Sequence, residues 1–197
     1  MAGRLTGEDR VDYFSPALNA LIARAGGGGA LRPVAKWHPP ANGASGMRIG
    51  LDGTWYHLGG KITREPLVRL FASILRREAD GSHVLVTPVE KLTIDVDDAP
   101  FAAVEVHGEG AGAGQVLTFR TNVGDVVRCG PAHPLIFRND RQTGGLKPYL
   151  DVRDGLEALA TRAVMFELVA LAGHRAGVEG LWSDGAFFAF PAAGACD

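Results

Sequence analysis

The chain has 197 residues, 46% of them hydrophobic, which is enough to bury a core in one large or two small domains. Twenty Lys and Arg residues against 22 Asp and Glu residues give a net charge of -2. No overall positive potential therefore exists to hold a nucleic-acid backbone, and we expect no nucleic-acid partner.

The opening residues MAGRLTGEDR are polar and lack the apolar core of a signal peptide. No later apolar run approaches the ~18 residues that a membrane span needs, so we expect a cytoplasmic protein without membrane insertion. The two cysteines cannot form a secreted disulfide framework. The histidines lack metal-ligand spacing and no CxxC motif is present, so the sequence predicts neither a metal site nor a cofactor.

The segment SPALNALIARAGGGG predicts a first helix. Ser15 can cap it, Pro16 suits the first helical position, and Leu18, Leu21 and Ile22 share one face. Glycines 26–29 end the helix and are not followed by the Lys-Ser/Thr pair of a phosphate-binding loop. We interpret them as a flexible linker.

The segment MRIGLDGTWYHLGG predicts a hairpin turning at Asp52-Gly53. In TREPLVRLFASILRRE, the apolar residues follow a helical repeat and predict a second helix that packs one face on a sheet. The apolar stripe consists of Leu67, Leu70, Phe71, Ile74 and Leu75. Arg69, Arg76 and Arg77 lie away from that stripe, which predicts a solvated outer face.

The rest of the chain predicts mainly strands. SHVLVTPVEKLTIDV suits two strands broken at Pro88. Residues 108–114 contain a Gly-x-Gly-x-Gly run, but strand-like sequence follows it, so we predict a hairpin turn and no dinucleotide site. Asp154 and Glu157 resemble a capping box and predict a largely buried helix from there. The chain finishes with two strand segments about Asp184-Gly185.

A strand, helix, strand order occurs in residues 55–87 and again in residues 147–190. Because residue identity between the two segments is poor, the similarity is one of element order. We predict an α+β protein of two small halves related by duplication. The predicted division is an N-terminal helix and linker at residues 1–34, an α+β domain at 35–98 and a second at 99–197.

Several segments in order resemble the bacterial family known as domain of unknown function 1285. They include KWHPP, GMRIGLDGTWYHLGGKITREPLVRLFASILRRE, LVTPVEK, VDDAPF, TNVGD and PYLDVRDGLEALATR. The resemblance implies a two-domain α+β fold built by duplication. It also implies a C-terminal half with a strongly curved antiparallel sheet plus a helix, superficially similar to pleckstrin-homology barrels. It implies no established activity.

The segment VVRCGPAHPLIF places Cys129 four residues before His133 in a loop broken by glycine and proline. A nearby imidazolium or the Arg128 guanidinium could stabilise a thiolate, which makes Cys129 a candidate nucleophile with His133 as its base. The alternative is a structural cysteine, since VVRC can continue a strand whose alternate residues point inward.

Two further sets are candidate ligand-binding residues. Trp55 and His57 share one strand face and, with Arg64 behind them, could line an anion or aromatic pocket, although a hairpin packed on the core explains them as well. Tyr149 and Arg153 precede the predicted buried helix, and Arg153 could point into the interface between the halves or simply pair with Asp151 and Asp154. Ligand pockets favour domain interfaces, so we interpret these residues as a set.

The sequence favours a non-enzymatic small-ligand-binding or regulatory protein with its site between the two halves. The first alternative is an enzyme that uses Cys129 as nucleophile. The second is a protein-interaction module without a pocket, for which the first helix and the arginines of the second are the natural surfaces.

Overall fold

The computed structural model describes residues 14–24, 32–140 and 143–191. The predicted linker at glycines 26–29 and the second cysteine, Cys196, lie outside these residues. The chain divides into two compact units, Met1–Ile49 with Thr54–Val96 and Gly50–Gly53 with Asp97–Asp197. Each unit is described in turn as the N-terminal and the C-terminal unit.

The N-terminal unit has two α-helices and one six-stranded sheet among its described residues. A single 3-10 turn, Val34–Lys36, precedes the first strand. The elements are α1 (Pro16–Arg24), β1 (Ala41–Ile49), β2 (Trp55–His57), β3 (Gly60–Lys61), α2 (Glu65–Ser73), β4 (Leu75–Arg77), β5 (His83–Val86) and β6 (Glu90–Val96).

The C-terminal unit has a six-stranded sheet, one α-helix and a three-stranded sheet among its described residues. The first sheet contains β7 (Phe101–Glu109), β8 (Val116–Thr121), β9 (Val126–Arg128), β10 (Leu135–Asn139), β11 (Leu146–Arg153) and β12 (Leu156–Ala160). The helix α3 (Arg162–Ala170) follows, and then β13 (Gly173–Arg175), β14 (Val178–Ser183) and β15 (Ala186–Ala189).

The two six-stranded sheets have the same topology. The first has the order β3-β2-β1-β6-β5-β4 and the second, from its other edge, the order β9-β8-β7-β12-β11-β10. In each sheet the first and sixth strands pair in parallel and all other neighbours are antiparallel. The α+β class with two related halves, one of them with a strongly curled sheet, is confirmed. Strands β1–β6 form the first repeated unit and β7–β12 the second. These units begin and end at other residues than segments 55–87 and 147–190, which were compared in the sequence.

Helix α1 begins and is capped as its sequence predicts. The hydroxyl of Ser15 accepts a hydrogen bond from the backbone N–H of Leu18 at 3.2 Å. Leu18 is buried, and the preceding Phe14 packs its ring against those of His57 and Phe71. Burial of the apolar face accounts for this helix, because nine residues alone are too few for a stable helix in water.

Helix α2 ends sooner than its apolar repeat predicts. The Ser73 hydroxyl donates to the carbonyl of Leu70 at 2.7 Å, and the following residues leave the helix to pair as β4 with β5. Arg76 therefore lies on a strand. Its guanidinium donates to the carbonyls of Val34 and Trp37 and to Glu78, so the prediction of a solvated helix residue is wrong for Arg76.

The helix predicted to begin at Asp154 begins eight residues later, at Arg162. Asp154 and Gly155 have positive φ angles of 48° and 73° and form a tight hairpin turn, which a two-residue Asp-Gly loop favours. Residues 156–160 then pair with β11 and β7, although Leu, Glu and Ala are good helix formers. The helix begins only after Thr161, whose hydroxyl accepts from Val164 N, and it leaves Phe166 exposed.

Hydrogen bonds from buried polar groups tie the three-stranded sheet to the larger sheet of the C-terminal unit. The Ser183 hydroxyl accepts from the backbone N–H of Leu117 at 2.9 Å and donates to the carbonyl of Cys129 at 2.6 Å. The Gln115 amide donates to the carbonyl of Trp182 at 2.9 Å. Since these groups are buried, each would be costly to leave unpaired.

We expect Phe71→Ala to lower the free energy of unfolding by about 3–5 kcal/mol, because the ring is fully buried between Phe14 and Trp55. Arg69→Ala on the same helix is the control and should cost at most about 0.5 kcal/mol, since its ion pair with Glu65 is exposed. Urea denaturation measures both changes. Equal losses would contradict this assignment of the helix faces.

Candidate functional site

Two of the three candidate ligand residues in the N-terminal unit, buried Trp55 and half-buried His57, stack on aromatic side chains of that unit. Trp55 is 1% exposed and stacks on Phe71 at 6.3 Å between ring centroids. Its indole Nε1 is buried without a hydrogen-bond partner in the described structure. His57 stacks on Phe14 at 4.3 Å, whereas Arg64 is the exposed N-cap residue of α2 and its side chain makes no capping hydrogen bond.

Tyr149 and Arg153 lie on opposite faces of β11, although alternation alone would place them together. Tyr149 is opposite Leu159 of β12, and a register shift then puts Arg153 opposite Leu156. Directly paired residues share a face, and Leu156 and Leu159 are an odd number of positions apart, so their faces differ. Arg153 binds Asp125 at 2.5 Å and lies over the ring of Phe101.

Cys129 lies in the interior of the C-terminal unit. It continues the alternation of β9, where Val127 is also buried and Arg128 is exposed. Its exposure is 0%, and burial raises the pKa of its thiol to about 12, although the nearby Ser183 hydroxyl and the backbone of Leu135 act in the opposite direction. Both properties belong to the structural alternative, because a nucleophilic cysteine needs access and a stabilised thiolate.

The side chain of His133 is directed to the backbone. Its Nδ1 lies 3.1 Å from the carbonyl oxygen of Asp151, and its backbone pairs with that of Gly130 across a narrow loop. The carboxylate of Asp184 also acts on the Cys129 thiol and raises its pKa further. The loop therefore holds Cys129 and His133 by main-chain contacts.

Four paired side chains form a polar face on β10, β11 and β12. The guanidinium of Arg138 donates to both carboxylate oxygens of Glu157 at 2.6 Å and lies 4.4 Å from the centre of the Tyr149 ring. Lys147 is the fourth member. The strand registers place Arg138 opposite Lys147 and Glu157 opposite Asp151, so Asp151 lies on the same face. We call these five residues the polar face.

Acidic groups outside the strands complete the pairing. Lys147 reaches Asp98 at 3.0 Å and Asp140 at 2.7 Å, and these bonds raise the pKa of its ammonium. The hydroxyl of Tyr149 donates to Asp98 at 2.8 Å, and burial together with this bond raises its pKa to about 12. Tyr149 is therefore a neutral donor at physiological pH.

Asp151 differs from the other members of the polar face, whose side chains are paired with one another or with acidic groups beside the strands. One carboxylate oxygen, Oδ1, is buried without a hydrogen-bond partner in the described structure. Burial raises the pKa of the carboxyl group and Glu157 adds to this shift, while nearby His133 and a hydrogen bond from the backbone N–H of Gly155 oppose it. A buried acceptor without a donor costs about 1–3 kcal/mol, so Asp151 is the feature of the polar face that packing leaves unexplained.

The polar face could have been found from alternation in KPYLDVR, where Lys147, Tyr149 and Asp151 occupy every second position. The predicted helix at Asp154 obscured the pattern, because it replaced the strand that carries Glu157 and pairs with β11.

No group of three His, Cys, Asp or Glu side chains within residues 14–24, 32–140 and 143–191 could hold a metal ion. No described helix has the length and apolar character to cross a membrane.

The two six-stranded sheets, which have the same strand order, define a two-domain α+β protein. Residues 32–99 match the model of the N-terminal domain, and residues 100–190 that of the C-terminal domain, of the family described as protein of unknown function (DUF1285). The chain belongs to this DUF1285 family.

Two solved structures of the same family are similar to the chain. A DUF1285 protein from Silicibacter pomeroyi DSS-3 is 48% identical over 86% of this chain and 93% of that chain, with a TM-score of 0.78. One from Shewanella baltica OS155 is 28% identical over 63% of this chain and 90% of that chain, with a TM-score of 0.49. No curated protein matches the chain.

We expect iodoacetamide to label Cys129 far more slowly in the folded protein than in urea, because the thiol is buried and its pKa is raised to about 12. Peptide mass spectrometry between pH 6 and pH 9 measures the rate. The His133→Ala variant should label at the same rate as the wild type. Fast labelling near neutral pH that slows in this variant would instead support the nucleophile.

We expect Asp151→Asn to gain stability relative to the wild type as the pH rises. Burial places the folded pKa of Asp151 above the ~3.9 of an unfolded aspartate, so the folded state holds the proton more tightly. That contribution is complete below the unfolded pKa and is lost as the pH rises through the folded pKa. Urea denaturation at pH 3 to 8 measures the difference.

The matched control for this titration is Asp154→Asn, which removes one negative charge at an exposed position of the same turn. Its stability difference from the wild type reports the general effect of that charge. Parallel pH curves for the wild type and Asp151→Asn would contradict the raised pKa.

Proposed function

We propose that the protein is a non-enzymatic binding protein and that the polar face of its C-terminal unit binds a small ligand through Asp151. The observation that carries the proposal is the buried Oδ1 of Asp151, which has no hydrogen-bond partner among the described residues, although the carboxyl group as a whole accepts a backbone hydrogen bond from Gly155. The cations on this face, Arg138 and Lys147, are each paired with carboxylates. A ligand that donates a hydrogen bond to Asp151 would supply the missing partner.

The local charge favours a ligand that carries a protonated amino group. Asp151, Asp154 and Glu157 lie at this end of β11 and β12, and the two other carboxylates both raise the pKa of Asp151. The adjacent Arg138 is engaged by both oxygens of Glu157. An ammonium group would stabilise the ionised form of Asp151 and so offset the cost of its burial.

The ring of Tyr149 gives the polar face an orienting group. The ring is nearly buried and fixed by its hydroxyl bond to Asp98 and by the guanidinium of Arg138 stacked over it. Because these contacts leave the ring little freedom, a ligand would meet a preorganised surface and pay little ordering entropy. This rigidity suits recognition.

The burial and the raised pKa of the Cys129 thiol favour a binding protein over an enzyme that uses this thiol. Cys129 is fully buried, and burial raises its pKa far above the range in which a thiolate acts near neutral pH. The enzyme alternative needs an exposed thiolate, whereas the contacts of Cys129 that favour the thiolate do not offset the effect of its burial. The proposal therefore assigns Cys129 a packing role beneath Ser183.

The test is a thermal-shift screen of the wild type with short alkyl monoamines, diamines and amino sugars, followed by calorimetric titration of any hit. We expect at least one amine to raise the melting temperature, since a ligand that binds only the folded state stabilises it. Asp151→Asn should weaken that binding at least about tenfold by removing the charge. Asp154→Asn should weaken binding much less, because exposed Asp154 only adds to the negative charge around Asp151.

Two outcomes would contradict this function. One is a screen in which no amine stabilises the wild type at millimolar concentration. The other is a hit that binds the Asp151→Asn and wild-type proteins equally, which would place the site elsewhere.

A further inference from the structure

Helix α3 is apolar on its outer side as well as on the side that faces the sheet. Val164 and Leu168 are buried where the helix packs on β7 and β12. On the outer side, Phe166 is 64% exposed and Val169 is 54% exposed. A helix at a protein surface normally carries polar residues on its outer face, and one that is apolar all round is normally covered. The outer side of α3 therefore has the composition of an interface.

The exposed apolar residues of α3 form one continuous row. Ala163, Phe166 and Ala170 are exposed and are spaced by three and four residues, so they lie next to one another along the helix. This is the spacing of a coiled coil, with Ala163 and Ala170 at a positions and Phe166 at a d position. Val164 and Leu168 then fall at b and f, on the side that the sheet buries. We call Ala163, Phe166 and Ala170 the α3 row.

Two opposite charges flank the α3 row. Arg162 and Glu167 fall at the g and e positions, one on each side of the row. Both residues are exposed, and among the described residues neither forms an ion pair. By contrast, the exposed Arg120 and Arg138 of the same unit are each paired with a carboxylate. The Arg162 guanidinium lies 5.6 Å from the centre of the Phe166 ring, at the edge of the row.

The order of these two charges fits a parallel pair of identical helices. When two helices run parallel about a twofold axis, the g position of each faces the e position five residues further along the other. Arg162 and Glu167 are five residues apart, so both cross pairs form at once in such a dimer. In an antiparallel pair g would face g and e would face e, which brings like charges together. The charges therefore favour the parallel arrangement.

We propose that a second copy of this chain covers the α3 row, in a symmetric dimer whose two α3 helices run parallel and pair Arg162 of each copy with Glu167 of the other. The small side chains of Ala163 and Ala170 let the two helices approach, and the two Phe166 rings fill the centre of the contact. The inference concerns residues other than the polar face and stands independently of the proposed function.

The dimer is weak because α3 is short. Its nine residues span about 14 Å. Two such helices bury much less than the roughly 1,600 Å² of a standard interface, so association is weak and depends on concentration. Measurements on the full-length protein must therefore extend from about 10 μM to about 1 mM.

Sedimentation velocity of the full-length protein tests for the dimer. We expect the weight-average sedimentation coefficient of the wild type to rise over this concentration range towards the value of a dimer. Phe166→Glu should stay monomeric, because it places two carboxylates at the centre of the contact. Val126→Glu is the matched control, since it changes another exposed apolar residue of the same unit, and it should associate like the wild type.

Charge reversal tests the parallel arrangement. Arg162→Glu and Glu167→Arg each place like charges across the contact, so each should weaken self-association at least about fivefold. An equimolar mixture of the two variants should associate like the wild type, because both cross pairs of the mixed dimer have opposite charges. The double variant should also regain association. Lys61→Glu makes the same charge change as Arg162→Glu at an exposed residue of the N-terminal unit and should have no effect.

Three results would overturn the proposal. The first is a wild type that stays monomeric up to about 1 mM, which decides the matter whether or not the variants fold. The second is a folded Phe166→Glu protein that associates like the wild type. The third is a pair of single charge variants that associate as strongly as the wild type, or a mixture of them that associates no better than either alone. Circular dichroism and urea denaturation verify that each variant is folded.

Discussion

The parallel pairing of first and sixth strands is the interaction on which each half of this protein depends. Within each half, strands one to three and four to six form local antiparallel arms. Only the β1–β6 and β7–β12 pairs join those arms into one sheet. Such a pair closes a long loop, so its entropy cost must be met by burial of the arms' apolar faces. In the C-terminal unit, the turn at Asp154-Gly155 sets the register of β12 on β11 and so places Glu157 opposite Asp151.

Local signals in the sequence predicted local structure well. The capping of α1 by Ser15 and the turn at Asp184-Gly185 depend on a few adjacent residues, and both occur as predicted. The errors arose where long-range pairing overrides propensity. Residues 156–160 have helix-forming side chains, yet they complete the sheet between β11 and β7. The end of α2 was also predicted too late, here because Leu75 pairs with Leu85 in the local β4–β5 hairpin.

In the candidate site, too, the sequence identified single residues but not the contacts that form only in the folded sheet. Tyr149 was identified, but its partners Asp98 and Arg138 come from distant parts of the sequence and meet it only in the folded sheet. Arg153 was grouped with Tyr149, and the bulge that separates their faces leaves no clear mark in the sequence. Asp151 was missed because its significance is an unpaired oxygen, a property of the fold and not of residue type.

The repeated topology also explains why Cys129 is buried. In the N-terminal unit, α2 connects the third strand to the fourth, whereas in the C-terminal unit the corresponding connection from β9 to β10 is the short segment 129–134. A connection without a helix leaves that part of the sheet uncovered. In the C-terminal unit β14 supplies a cover, and its Ser183 bonds both Leu117 and Cys129. Cys129 is thus enclosed by a strand added after the repeat, and the residues that suggested a nucleophile occupy a position that the first half fills with a helix.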